Sequence, residues 1–151
     1  SINWQVIILI AALIPVGTVM KTSGTAEWIG NFISSIAMKT PDDWQPRVIL
    51  ALVYLIAMIL TEVSSNAATA VIMTPVAIAV SNQMGLDARP FVLAVAFAAS
   101  ASFLTPVGYQ TNLMVYGPGG YKFSDYIRVG FPLAILFWFA AIILLPIIWP
   151  V

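Results

Sequence analysis

The charges in this sequence come in clusters, and the runs between them are long. Residues 1–20, 48–61, 63–86, 90–121 and 129–151 carry no Asp, Glu, Lys or Arg. A helix that spans a bilayer needs about 20 mostly apolar residues, roughly 30 Å at about 1.5 Å per residue. In water such runs would have to be covered by a charged surface. Charged residues make up only 8% of this chain, against roughly 25% in ordinary soluble domains. With 61% of its residues hydrophobic, the medium that fits the chain is lipid. The fold class expected is all-α integral membrane, placed in the cell membrane as a multi-pass protein.

The same composition excludes much chemistry. There is no Cys and no His, which removes disulfides, thiolate nucleophiles, His-based triads and most transition-metal sites. No paired carboxylates flank a polar break, so an enzyme is not expected. The formal net charge is zero, and nothing electrostatic points to a nucleic acid partner. The chain opens Ser1-Ile2-Asn3-Trp4 without a basic region ahead of an apolar stretch, so it does not read as a signal peptide. It reads instead as part of something larger.

Phe131–Val151 is the clearest span, with Pro132, Pro146 and Pro150 expected at its ends. Trp4–Met20 is a second, with a kink expected at Pro15. Gly24–Met38 predicts an amphipathic helix, Trp28, Ile29, Phe32, Ile33, Ile36 and Ala37 on one side and Glu27, Asn31, Ser34 and Ser35 on the other. Trp4, Trp28, Trp44, Trp138 and Trp149 read as interface residues, and Tyr116-Gly117-Pro118-Gly119-Gly120 as a turn.

The middle of the chain departs from ordinary spans. Val48–Leu60, Ala67–Val80 and Phe91–Leu104 are apolar but short. Thr74-Pro75 is expected to interrupt the second. The first two are separated by Thr61-Glu62-Val63-Ser64-Ser65-Asn66, and the third ends at Thr105-Pro106-Val107-Gly108-Tyr109-Gln110-Thr111-Asn112. Irregular backbone at membrane depth persists only where it is buried in protein or lines an aqueous cavity. Short, interrupted apolar segments are therefore a pointer to a transporter binding site. The reading is a re-entrant helical hairpin over 48–82, tip at Ser64–Asn66, and a discontinuous helix over 90–118.

The residues at these breaks suit two ions of opposite sign. Ser and Asn are preferred N-caps and would open the returning helix. Its first N–H groups are unpaired and carry partial positive charge, so an anion binds there without Lys or Arg. The descending helix ends at the same tip, where its last carbonyls offer oxygens to a small hard cation. At the second break Gly108 lets backbone approach closely. Gln110, Thr111 and Asn112 supply donors and acceptors, and Thr111 or Asn112 would cap the helix that follows. Together the breaks suit Na⁺ beside an oxyanion. Each residue has a plainer reading: membrane Ser and Thr often bond back to their own helix, and small residues such as Ala68, Ala98, Ala99, Ser100, Ala101 and Ser102 often mean close helix packing. Glu62 reads equally as a functional carboxylate or a structural anchor.

At these two breaks the sequence resembles the divalent anion/sodium symporter family. Thr61-Glu62-Val63-Ser64-Ser65-Asn66-Ala67-Ala68-Thr69-Ala70 is similar to that family's second Ser-Asn-Thr hairpin motif. Thr105-Pro106-Val107-Gly108-Tyr109-Gln110-Thr111-Asn112 is similar to its second unwound-helix loop. The resemblance implies two inverted repeats, of which residues 1–151 would be the C-terminal one, and elevator-like movement of the domain that bears both hairpins. It implies sodium ligands at Thr61, Ser64, Asn66 and Gly108, several through backbone carbonyls. It implies substrate contacts at Ser65, Asn66, Ala67, Gln110 and Thr111, beside which Asn112 stands as a further polar candidate. The partners implied are Na⁺ as the coupling ion, a small anionic substrate, the N-terminal repeat and a second copy in a homodimer. No other cofactor is expected.

Two departures bear on the substrate. The third motif position is Ala67, where the family carries Thr, and the loop has Gln110-Thr111 where many dicarboxylate carriers have two prolines. Both look more like the branch linked to sulfate and to sulfur-deprivation responses. Sodium-coupled transport of a small divalent oxyanion is thus expected, sulfate ahead of a dicarboxylate. A membrane sensor that binds the anion without moving it, and a structural subunit whose polar breaks only pack, are the alternatives.

Overall fold

The computed structural model describes residues 4–149. The described residues form helices joined by turns and one longer non-helical segment, with no strand among them. In chain order these are α1 (Trp4–Thr22), α2 (Thr25–Ala37), a 3₁₀ turn (Asp42–Trp44), α3 (Gln45–Thr61), α4 (Asn66–Met84), α5 (Ala88–Ser100), α6 (Gln110–Tyr116) and α7 (Phe123–Ile148). Asp42–Thr61, Asn66–Met84 and Phe123–Ile148 are each long and apolar enough to cross a membrane.

Local chemistry sets the boundaries. Pro46 sits in the first turn of α3, where its missing N–H is no loss. Ser65 caps α4 by accepting from the Ala68 N–H (3.2 Å), and Gly85 ends it in the left-handed region at φ 67°. Asp87 opens α5 by accepting from the Arg89 N–H at 3.0 Å. The second sequence break is nine residues, 101–109, with no helix, and it separates α5 from the short α6.

Helices α3, α4 and α5 pack on one another at the centre, with α1 and α2 laid against α4 and α7 against α3 and α5. Lipid tails are as apolar as leucine, so association in a bilayer rests on close van der Waals packing rather than on the hydrophobic effect. Small residues fill that role here: Ala57, Ala77, Ala94 and Ala98 are fully buried between the central helices. α4 is apolar around much of its circumference, which suits a helix with neighbours on four sides.

Several expectations change. The hairpin arms have 17 and 19 residues, longer than the apolar cores suggested, because Gln45-Pro46-Arg47 and Ser81-Asn82-Gln83-Met84 also join their helices. Thr74-Pro75 does not interrupt the second arm. Pro75 cannot donate to the Val71 carbonyl, yet the helix continues, with the Thr74 hydroxyl bonded to Ala70 O (2.6 Å) and Gly17 of α1 packed over Val71 and Pro75. α7 likewise contains Pro132 and Pro146 rather than ending at them, whereas Pro15 stands inside α1 as expected. α7 also begins at Phe123, ahead of the uncharged stretch; the expected end at Pro150 and Val151 lies outside the described residues.

The face of α2 is rotated from the expected one. Ala26, Gly30, Ile33, Ser34 and Ala37 are buried, while Trp28 and Phe32 are exposed. Ser34 belongs to the buried side because its hydroxyl donates to Gln83 Oε1 of α4 at 3.2 Å. Trp138 is not a simple interface residue either: its indole N–H donates to the Ala51 carbonyl at 2.9 Å, bracing α7 on α3.

Candidate functional site

Residues 62–65 form the turn of the α3–α4 hairpin, and the non-helical segment 101–109 lies directly against it. The geometry begins at Thr61, the fully buried last residue of α3. Its hydroxyl lies 2.7 Å from the Ala99 carbonyl and 3.0 Å from Asn66 Oδ1, positioned to donate to either. A hydroxyl has one proton, so one of these two acceptors is always left with an unused lone pair. Ala99 is in the last turn of α5, where helix carbonyls have no partner within the helix. The Thr61 carbonyl is the same kind of group at the end of α3 and, among the described residues, takes only a long bond, 3.4 Å, from the Ser102 hydroxyl.

Two helix C-termini, each carrying partial negative charge, therefore meet at a cluster of oxygens with few protons to share. The N-terminus of α4 meets them from the third side. Ser65 caps it with its hydroxyl oxygen, while Asn66 and Ala67, both half-buried, occupy its first turn.

Gly108 completes this packing. A β-carbon there would collide with the Ser102 hydroxyl oxygen and would lie 3.0 Å from the Thr61 carbonyl oxygen and 3.1 Å from Glu62 Cα. Only the absence of a side chain brings the loop so close to the tip. On the opposite side of the same segment, a β-carbon at Gly130 of α7 would collide with the Phe103 carbonyl. Segment 101–109 is thus pressed between the hairpin tip and α7 at two glycines.

Of the residues expected to hold sodium, Thr61, Asn66 and Gly108 come together. Ser64 is half-buried, its backbone N–H closes on Leu60 O at 3.0 Å, and among the described residues its hydroxyl bonds to none of the other three. Of those expected at the substrate, Ser65, Asn66 and Ala67 share the start of α4, while Gln110 and Thr111 are exposed at the start of α6.

Asn112 is placed differently from the expectation. Its Nδ2 donates to the Ser102 carbonyl (3.0 Å) and the Thr105 carbonyl (3.2 Å), and its own carbonyl accepts from the Tyr126 hydroxyl at 2.9 Å. The amide is occupied in holding the loop. Nor does Thr111 or Asn112 cap α6: Tyr109 stands at that position without a side-chain cap, and both lie inside the first turn. Ser102, read from sequence as a packing residue, and Thr105 are polar contributors that spacing did not reveal. The signal for Thr105 was its place ahead of Pro106, in a stretch that had to satisfy its own backbone.

The family described as "Sodium:sulfate symporter transmembrane region" matches residues 1–151. The chain is 44% identical over 151 residues to an uncharacterized transporter of Synechocystis sp., covering 100% of this chain and 24% of the relative. It is 34% identical over 128 residues to a sodium-dependent high-affinity dicarboxylate transporter of Caenorhabditis elegans, covering 84% and 22%. It is 33% identical over 135 residues to a probable sodium/sulfate cotransporter of Chlamydomonas reinhardtii, covering 89% and 15%. The chain spans about a quarter or less of the length of these relatives. It belongs to the sodium:sulfate symporter family of multi-pass membrane proteins.

Proposed function

We propose that this chain is the C-terminal repeat of a sodium-coupled secondary transporter for a small divalent oxyanion, sulfate ahead of a dicarboxylate. The observation that carries the reading is the oxygen cluster at Thr61. The Ala99 carbonyl and Asn66 Oδ1 converge on one hydroxyl proton, and a donor-poor group of buried oxygens suits a small hard cation. The start of α4, a step away, offers unpaired N–H groups and positive dipole to an oxyanion. Thr61, Ser64, Asn66 and Gly108 would hold the sodium. Ser65, Asn66, Ala67, Gln110 and Thr111 would face the anion, and Asn112 would stand behind them as the brace of the loop.

In this reading α3 and α4, residues 45–84, form the re-entrant hairpin expected over 48–82, and α5, the loop and α6, residues 88–116, form the discontinuous helix expected over 90–118. An inverted N-terminal repeat supplies the matching half of the site, and the carrier works as a homodimer. The names of a sodium/sulfate cotransporter and a sodium-dependent dicarboxylate transporter among the relatives support this substrate class. Ala67 and Gln110-Thr111 favour sulfate within it.

The test is uptake of labelled sulfate by the full-length carrier in proteoliposomes, under an inward sodium gradient and with choline in its place. Uptake that needs sodium and is competed by excess unlabelled sulfate better than by succinate is expected. Equal uptake in choline overturns the coupling, and stronger competition by succinate moves the substrate to dicarboxylates.

A further inference from the structure

Glu62 is the one carboxylate at the hairpin tip, and it is 94% buried, at 6% exposure. Among the described residues no Lys or Arg stands within salt-bridge distance of it. A buried charge needs compensation, and here it comes from backbone. Glu62 Oε1 accepts from the Leu104 N–H at 2.9 Å and Oε2 from the Thr105 N–H at 2.8 Å. Its carbonyl accepts from the Thr105 hydroxyl at 2.9 Å, and that hydroxyl oxygen accepts in turn from the Gly108 N–H at 3.0 Å. An unbroken chain of hydrogen bonds thus runs from the hairpin tip through Thr105 to Gly108.

This arrangement meets two needs at once. The loop 101–109 has N–H groups that no helix satisfies, and lipid cannot satisfy them. The carboxylate is stabilised by them, and bonds with an ionised acceptor are stronger than neutral ones. Two N–H donors side by side require two acceptor oxygens, which Glu has and Gln lacks.

We infer that Glu62 is a positioning residue for the cation site, fixing the loop so that Gly108 stays in register with Thr61 and Asn66. The inference rests on the sodium reading above. Glu62 touches neither ion; it sets the distance between the two walls of the oxygen cluster. Glu62→Gln places an NH₂ against one of the two N–H groups and releases that end of the loop. Thr105→Val removes the link to Gly108 without changing shape, while Thr105→Ser preserves the hydroxyl.

The experiment is a sodium titration of labelled sulfate uptake by the full-length carrier in proteoliposomes, with maximal rates normalised to folded carrier. Glu62→Gln and Thr105→Val are expected to raise the half-saturating sodium concentration about tenfold, the scale of one lost buried contact. Maximal uptake returns at high sodium, and Thr105→Ser stays at the wild-type value. A loss of maximal rate with an unmoved half-saturation point makes the clamp merely structural and overturns the proposal. If Glu62→Gln does not fold, the Val and Ser variants at 105 decide in the same way. If uptake by the wild-type carrier ignores sodium, the sodium reading itself fails and the clamp falls with it.

Discussion

The Thr61 hydroxyl stands 3.0 Å from the side-chain oxygen of Asn66, across the tip of the hairpin and five residues along the chain. One residue closes α3 and the other opens α4, so this contact joins a helix C-terminus to a helix N-terminus. It places the junction between negative and positive dipole ends at a single pair of polar side chains. An amide is suited to such a boundary, because it presents an oxygen to one side and an NH₂ to the other.

In the function proposed above, Asn66 would stand between the two ions. Asn66→Ala removes both contacts, at about 1–3 kcal/mol for each buried group left unpaired. That corresponds to at least a severalfold loss in affinity for sodium and for the anion, at about 1.4 kcal/mol per tenfold. Linkage adds that weaker sodium binding weakens the anion further. Asn66→Asp keeps an oxygen toward Thr61 but sets negative charge toward the anion, so it loses sulfate affinity more than sodium affinity. Both are read from sulfate binding to the full-length carrier across a sodium titration. Unmoved curves for Asn66→Ala make its role structural.

Gly108 and Ser102 constrain each other. A β-carbon at 108 collides with the Ser102 hydroxyl oxygen, so Gly108→Ala is expected to lower stability by the roughly 1–3 kcal/mol typical of overpacking, with about 2–4 °C of melting temperature lost per kcal/mol in a domain of this size. Removing that oxygen with Ser102→Ala in the same chain restores part of the loss. A double variant no better than Gly108→Ala alone shows that the Thr61 carbonyl and Glu62 Cα, rather than Ser102, set the limit.

The Asn112 amide braces the loop through two carbonyls. Asn112→Ala leaves both without a donor and is expected to destabilise the carrier by about 1–3 kcal/mol. Asn112→Asp points an anionic oxygen at the same two carbonyls and is worse than Ala. Thermal unfolding of the purified full-length carrier, scored against Thr111→Ala as a neighbour with an exposed side chain, gives the ranking. Were Asn112→Asp the milder variant, the amide would not be donating to Ser102 and Thr105.

A hairpin tip that lines a binding cavity is shielded when the cavity fills. Residues 1–151 contain no cysteine, so Ser65→Cys, in a full-length carrier with any cysteine outside these residues replaced, is a single reporter at the tip. Its labelling by a small water-soluble maleimide is expected to slow severalfold when sodium and sulfate are both present, with sodium plus chloride as the control. Labelling that ignores both ions places the tip in an ordinary surface loop and removes the re-entrant reading.

The lipid environment, the helical class and the two polar breaks were fixed by sequence, because charge spacing and the demand for backbone hydrogen bonds are local properties. That Thr61 and Asn66 share one site was implied by the resemblance of the hairpin motif to its family, and the two side chains do meet across the turn. Lengths were less so. The polar ends of α3 and α4 joined their helices, and α4 ran through Pro75, where the Thr74 hydroxyl bonds back to the Ala70 carbonyl.

The roles of Glu62, Ser102 and Asn112 needed the tertiary structure. Glu62 and Thr105 lie 43 positions apart, and Asn112 works on carbonyls that are free only because segment 101–109 is not helical. Spacing along a chain shows which polar groups must find partners at membrane depth. Which partner each one finds depends on how closely the backbones approach, and here Gly108 and Gly130 decided that by letting the loop in between the tip and α7.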